Sequence, residues 1–278
     1  MPLTLRSRRL VLPVDGAPLR PDLLAHAAAE VARLKIRHGK SLVEVGELFE
    51  VEGDGRDQRV AFEGDLRSIR GLASGMTSGE LTISGLAGDG LAQGMTDGSV
   101  IVDGDVGAHA GAGMRGGFLR IRGNAGPGLG GCLPGSRLGM RDGVILVEGN
   151  VGAEAGRSMR RGLIAVKGKA GTGLGSELVA GSIFSFGAVE GTVGAGMKRG
   201  TIALFRVRER DRLPVPTTFA PSGSFRPPFL GIYERQLRAW GFLPREVAFP
   251  ARIRRYNGDL LERGQGEILL AGLDPGKH

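Results

Sequence analysis

The feature that most constrains this chain is a methionine that returns every nineteen residues. Met76, Met95 and Met114 are nineteen apart, as are Met140 and Met159; Leu178 takes the slot next, and Met197 follows nineteen residues later. Apart from Met1, every methionine in the sequence occupies this slot. From it the unit reads M-x-x-G-x-Φ-x-Φ-x-G, with Φ apolar, and a glycine-rich return such as DVGAHAG or NVGAEAG follows. The fourth-position glycines are Gly79, Gly98, Gly117, Gly143, Gly162, Gly181 and Gly200. The tenth-position glycines are Gly85, Gly104, Gly123, Gly149, Gly168 and Gly187.

Between the two glycines lie apolar pairs: Leu81/Ile83, Val100/Val102, Leu119/Ile121, Ile145/Val147, Ile164/Val166 and Ile202/Leu204. Alternation over such a short run predicts a strand with one face buried. Helices are disfavoured there, because each interior glycine costs about 1 kcal/mol against alanine. A short strand, a glycine corner and a further short strand at a fixed period predict a mainly β fold, a parallel β-solenoid with coils of about nineteen residues. Coils would stack about 4.8 Å apart, so that equivalent residues form ladders and the methionines one internal column. A fainter unit, VAFEGDLRSIRG at 60–71, precedes Met76. The interval from Met114 to Met140 is seven residues longer than the period, and the extra CLPGSRL (132–138) reads as a loop at one corner.

An open last coil is an exposed sheet edge, so the flanks are expected to cap the stack. Residues 1–56 read as an N-terminal α/β cap with a strand at LTLR, a helix from about Asp22 to Leu34, and a strand pair around SLVEVGELFEVEG. Residues 57–206 read as the solenoid, and 207–278 as a Pro- and aromatic-rich C-terminal extension with a short helix in GIYERQLRAWGFLPRE. Eight of the fourteen aromatic residues fall after position 215, which predicts that this segment lies against the solenoid's flank or another subunit.

The remaining composition excludes function classes. One cysteine, Cys132, allows no internal disulfide and no four-cysteine metal site. No apolar run approaches a membrane span, and MPLTLRSRRLVLPV lacks a signal peptide's apolar core, so a cytoplasmic protein off the membrane is expected. A net charge of +8 invites nucleic acid, but no helix-turn-helix, zinc-finger or RNP motif is present and aromatics are absent from most basic stretches. GTGLGS (171–176) and GAGMRGG (111–117) imitate a dinucleotide fingerprint but recur coil after coil with no helix following. GKS at 39–41 fails as a phosphate loop because Leu34 stands where the first glycine belongs. His26, His38, His109 and His278 lack ligand spacing, His109 reads as a surface residue and Cys132 as a bystander thiol. No catalytic residue and no metal ligand emerges.

One pattern rises above this background. The residue after the methionine slot is Thr77 and Thr96 in early units, then Arg115, Arg141 and Arg160, then Val179 and Lys198, with Arg161 and Arg199 one position further on. Stacking would put these cations about 4.8 Å apart, where two like charges repel by about 1 kcal/mol even in water. Either the arginines splay or pair with Glu148 and Glu154, or the stripe meets a polyanionic ligand or an acidic partner.

The units MTDGSVIVDGDVG, MRDGVILVEGNVG and MRRGLIAVKGKAG resemble the glycine-motif β-helix found in two settings. One is the C-terminal domain of glutamate synthase large subunits. The other is the C subunit of formylmethanofuran dehydrogenase and of its bacterial relative, the formyltransferase/hydrolase complex. With VGELFEVEGD leading into the units and a Pro-rich tail after them, the chain is more similar to the C subunit, and its arginine-rich composition favours the bacterial complex. The resemblance implies a right-handed β-helix and a non-catalytic subunit in one-carbon (formaldehyde oxidation) metabolism, where formyl groups pass between tetrahydromethanopterin and methanofuran-type carriers. The partners it implies are a metal-dependent, amidohydrolase-like formyl hydrolase subunit, a formyltransferase subunit and a further structural subunit. It implies no cofactor on this chain alone; a methanofuran-type coenzyme with a glutamate-rich tail belongs to the complex, and the stripe of Arg115, Arg141, Arg160 and Lys198 is expected to attract that tail or an acidic subunit. A detached glutamate-synthase-like β-helix serving as a spacer is the alternative.

Overall fold

The computed structural model describes residues 1–8, 10–207, 214–246 and 248–271. It is mainly β, with 36% of residues in strands against 8% in helices, as the glycine spacing requires. The N-terminal part holds β1 (Leu3–Ser7), β2 (Val14–Asp15), α1 (Ala28–Ala32), β3 (Lys35–His38), β4 (Ser41–Glu44), α2 (Val45–Leu48) and β5 (Phe49–Glu52). The repeats supply β6 (Arg59–Leu66), β7 (Ile69–Arg70), β8 (Glu80–Ala87), β9 (Ser99–Val102), β10 (Arg115–Ile121), β11 (Asp142–Val147), β12 (Leu163–Val166), β13 (Ser182–Ser185) and β14 (Arg199–Leu204). The C-terminal part adds β15 (Ala220–Phe225), α3 (Leu230–Ala239), β16 (Ile253–Gly258), a 3-10 turn at Leu260–Glu262, and β17 (Gln265–Leu270).

Thirteen strands form one sheet in the order β15-β16-β17-β14-β13-β12-β11-β10-β9-β8-β6-β1-β5, and β4-β3-β2-β7 form a second. From β1 through β14 to β17 every neighbouring pair is parallel, and the pairs at the two ends are antiparallel. Register follows the repeat: Leu81 faces Val100, Val100 faces Leu119, Ile145 faces Ile164, and Ile183 faces Ile202. The glycine-rich returns carry a second parallel ladder of single bridges, Ala87–Val106–Ala125–Val151–Ala170–Val189.

The interior explains the sequence motif. Met76, Met95, Met114, Met140, Met159, Leu178 and Met197 are all fully buried. A Cβ added to Gly98 would lie 2.6 Å from Met76 Cε, and one on Gly162 2.7 Å from Met140 Cε. Met76, Met95, Met140 and Met159 thus fill the space left by the fourth-position glycine of the following repeat, Gly98, Gly117, Gly162 and Gly181. The tenth-position glycines stack backbone on backbone: a Cβ on Gly168 would fall inside contact distance of the Gly149 carbonyl.

Three expectations need correction. Alanine-rich residues 22–34 form a helix only over Ala28–Ala32, because Pro21 and the turn at 21–23 take the first half. The segment SLVEVGELFEVEG is not a strand pair: β4 pairs with β3, β5 pairs with β1, and α2 separates them. Strands β12 and β13 are buried on both faces rather than one. Their outward residues Leu163, Ala165 and Phe184 join Leu146 and Ala203 under Leu230, Leu237, Phe242 and Phe249 of the C-terminal part, forming a second apolar cluster. The aromatic extension thus lies against the sheet's own flank. Phe184 meets Phe205, Tyr233 and Phe249 edge-on with ring centroids 6.0, 4.9 and 6.2 Å away.

Salt-bridged groups tie this cover down. Arg120 on β10 donates to Glu148 Oε1 at 2.6 Å and to the carbonyls of Trp240 and Gly241 at 2.8 and 3.3 Å. Lys167, the residue after β12, bonds Glu148 Oε2 at 3.2 Å and sits 4.7 Å above the Phe242 ring. Burial works to raise the Glu148 carboxyl, but hydrogen bonds from Arg120 and Lys167 outweigh it and hold Glu148 below the ordinary carboxylate range.

Candidate functional site

The residues after the methionine slot do form one column. The Arg115 N–H donates to the Met95 carbonyl at 2.8 Å, Arg141 to Met114 at 2.7 Å, Arg160 to Met140 at 2.7 Å, Val179 to Met159 at 2.8 Å, and Lys198 to Leu178 at 2.7 Å. Each repeat is thereby keyed to the one before it by a backbone bond at this corner, and the side chains project from neighbouring levels. Arg115, Arg160, Arg161, Lys198 and Arg199 are exposed and Arg141 is half-buried.

Charge along the column is little compensated. Lys198 Nζ stands 3.8 Å from Glu262 Oε2, a loose pair. Among the described residues, Arg115, Arg141, Arg160, Arg161 and Arg199 make no ion pair, and Arg141 Nε is buried with no acceptor. The carboxylates expected as partners are taken elsewhere. Glu148 is held by Arg120 and Lys167, and Glu154 pairs with Arg157, which also reaches Glu177. Pairing of the column arginines with Glu148 and Glu154 is therefore excluded: Glu148 follows the far end of β11, beneath the C-terminal cover, and Glu154 lies on a different corner. Hydrogen bonds from Ser158 and Arg157 hold the exposed Glu177 carboxyl below the ordinary carboxylate range.

Arg161 also borders a groove of about 350 Å³ between α3 and the ends of β11 and β12, lined by Asp142, Val144, Leu163, Ile232 and Trp240. The sequence placed the C-terminal segment against the solenoid's flank or another subunit but did not fix where the helix sits, so this groove was not read from it.

The other singled-out residues fall apart from the column. His109 occupies a left-handed turn (φ 58°) and is half-buried rather than on the surface, its Nδ1 enclosed without a partner above Gly128. His26 lies 3.6 Å from Glu30, and His38 Nε2 accepts from the Leu12 N–H at 3.3 Å. His278 lies outside the described residues. Cys132 is a half-buried free thiol in the loop insertion. Gly39 is the left-handed turn joining β3 and β4; the glycine run at 111–117 passes from a turn into β10, and that at 171–176 lies in a turn between strands. Among the described residues no group of three or more His, Cys, Asp or Glu is placed to hold a metal ion, and no helix is long and apolar enough to cross a membrane.

No family model matches the chain. Curated relatives do. It is 33% identical over 79 residues to the C subunit of tungsten-containing formylmethanofuran dehydrogenase 2 of Methanothermobacter thermautotrophicus, a stretch covering 27% of this chain and 29% of the relative. It is 33% identical over 79 residues to the C subunit of molybdenum-containing formylmethanofuran dehydrogenase 1 of Methanothermobacter marburgensis, covering 28% and 20%. The match thus spans less than a third of these relatives' length. The fold extends it: a chain in the crystal structure of the formyltransferase/hydrolase complex (FhcABCD) of Methylorubrum extorquens, in complex with methylofuran, superposes with a TM-score of 0.83 at 28% identity. That superposition covers 97% of this chain and 99% of the other. The likeness in fold, to a chain of the formyltransferase/hydrolase complex, covers 97% of this chain, and the likeness in sequence to the formylmethanofuran dehydrogenase C subunits is confined to the matched residues.

Proposed function

We propose that this chain is a non-catalytic structural subunit of a formyltransferase/hydrolase complex, in which formyl groups pass between tetrahydromethanopterin and methanofuran-type carriers in one-carbon metabolism. The observation that carries the reading is the end-to-end superposition on a chain of such a complex, including both flanks of the repeat. The proposed architecture is a right-handed parallel β-helix with coils of about nineteen residues at 57–206, between a cap at 1–56 and an extension at 207–278. A ladder register that advances with the methionine slot supports the coil length. Partner subunits would supply the chemistry: an amidohydrolase-like formyl hydrolase, a formyltransferase and a further structural subunit. The carrier would bind in the complex, off this chain alone, and the cytoplasm is the proposed compartment.

Arg115, Arg141, Arg160, Arg161, Lys198 and Arg199 are proposed as the surface that attracts an anionic partner or carrier tail. Among the described residues the five arginines make no ion pair and Lys198 only a loose one, which supports this.

The reading is tested by reconstituting formyl transfer with and without this chain. The isolated chain should show no turnover, while the remaining subunits should lose assembly and activity without it. Turnover by the chain alone, or full activity in its absence, would overturn the proposal.

A further inference from the structure

We infer that the cationic column, extended by the exposed leucines at its end and side, is a docking face for an acidic protein surface with an apolar recess. This rests on the subunit reading above and commits it to a protein partner on this face rather than a free polyanion.

The column does not stop at Lys198. In each repeat the residue after the methionine slot donates its N–H to the slot one level below, and Asp259 N–H does the same to the Met197 carbonyl at 3.3 Å. The 3-10 turn Leu260–Glu262 therefore takes the next place along the same corner, and the contact between Glu262 and Lys198 at 3.8 Å fits that adjacency. Leu260 and Leu261 are 60% and 82% exposed there.

They are also held still. Asp259, only 5% exposed, accepts from the Leu261 N–H through Oδ1 and from the Gly196 N–H through Oδ2, each at 3.1 Å. The turn closes with Gly264 N–H on the Asp259 carbonyl at 2.8 Å. Two leucines presented to solvent on a fixed turn lose little freedom when covered. A third exposed leucine, Leu138, flanks the column's side at the level of Arg141: its carbonyl lies 3.8 Å from the Cβ position of Gly113, and Gly139 bonds Ser158, one level up.

Beside these leucines stand Arg115, Arg141 and Arg160, which make no ion pair among the described residues, although the exposed Asp142 lies opposite Arg115 in the ladder. Arginines beside fixed apolar anchors are the composition of a protein–protein contact. A polyanion would engage the cations and gain nothing from the leucines. Charge complementarity makes the partner acidic, and the leucines require a recess opposite them.

The test uses the full chain, tagged in the cells that make it, in wild-type, R141E/R160E and L260S/L261S forms, with L42S as a control on β4. Thermal melts establish that each variant folds. The charge reversal should slow association with the formyltransferase and hydrolase subunits at least tenfold at low salt and flatten its salt dependence. The leucine pair should weaken retention at least tenfold with little change in salt dependence, and L42S should leave both unchanged.

Folded variants that retain the partners as wild type does would overturn the docking face while leaving the subunit reading intact. A wild-type chain recovered alone would count against the subunit reading itself. Two other results overturn the inference: poly-L-glutamate bound by wild type and lost only in R141E/R160E, with assembly intact in L260S/L261S, or self-association of the purified chain abolished by L260S/L261S.

Discussion

Met76, Met95, Met140 and Met159 each close a gap that a glycine opens one level above. Gly162 needs its glycine twice: its φ is 97°, and a Cβ would lie 2.6 Å from the Gly143 carbonyl oxygen as well as against Met140. This is why the Met-x-x-Gly spacing was readable from sequence, since both residues answer one steric condition. Met140→Ala should leave a cavity and cost about 2–5 kcal/mol, read as a drop in the urea midpoint. Gly168→Ala, at a position without positive φ, should cost about 3 kcal/mol or more through backbone clash alone and should not be rescued by shrinking a neighbouring side chain. The half-buried state of His109 was overlooked because the histidine was read alone: its slot is glycine at Gly71, Gly90, Gly128 and Gly173, all with positive φ, which marks the left-handed turn that tucks it over Gly128.

At the scale of elements, the sheet's outer face changes character along the stack. Glu80 and Thr82 face out from β8, but Val144 and Leu146 from β11, and Leu163 and Ala165 from β12. That drift from polar to apolar is visible in the sequence and marks where the C-terminal cover lies; reading only the inward pairs hid it. Strand β17 was missed for a different reason. Its G-E-I-L-L run matches the repeat, with Ile268 level with Ile202, but it returns to β14 from the far side of α3 and carries no methionine slot.

The cover is tested at two points. Phe184→Ala should cost about 3–5 kcal/mol and raise amide exchange in α3 before the repeats. Glu148→Gln should cost about 1–2 kcal/mol by breaking its bonds to Arg120 and Lys167. Because the folded carboxyl of Glu148 is held low, its contribution is complete above the ordinary carboxylate range and is lost as pH falls through the lowered value. Urea midpoints followed from pH 6 to about pH 3 should fall less steeply in the Gln variant.

Across the whole molecule, one periodic interior carries two unlike surfaces. The flank is closed by the chain's own aromatic tail, while the methionine-slot corner presents Arg115, Arg141, Arg160 and Lys198 with almost no counter-charge. The period, the strands and the position of the cation column were legible because stacking converts sequence spacing directly into spatial neighbours. The exposed leucines at 260 and 261 were not, since only the return of the C-terminal turn to Met197 brings them onto that corner. A rigid stack with one self-covered face and one charged face is suited to hold other subunits in place.

The most direct measurement is native mass spectrometry of the endogenously tagged protein, purified at low salt. This 29.1 kDa chain should appear in fixed stoichiometry with formyltransferase and hydrolase subunits. A folded species containing only this chain, under conditions where those subunits are present and assembled with one another, would contradict it.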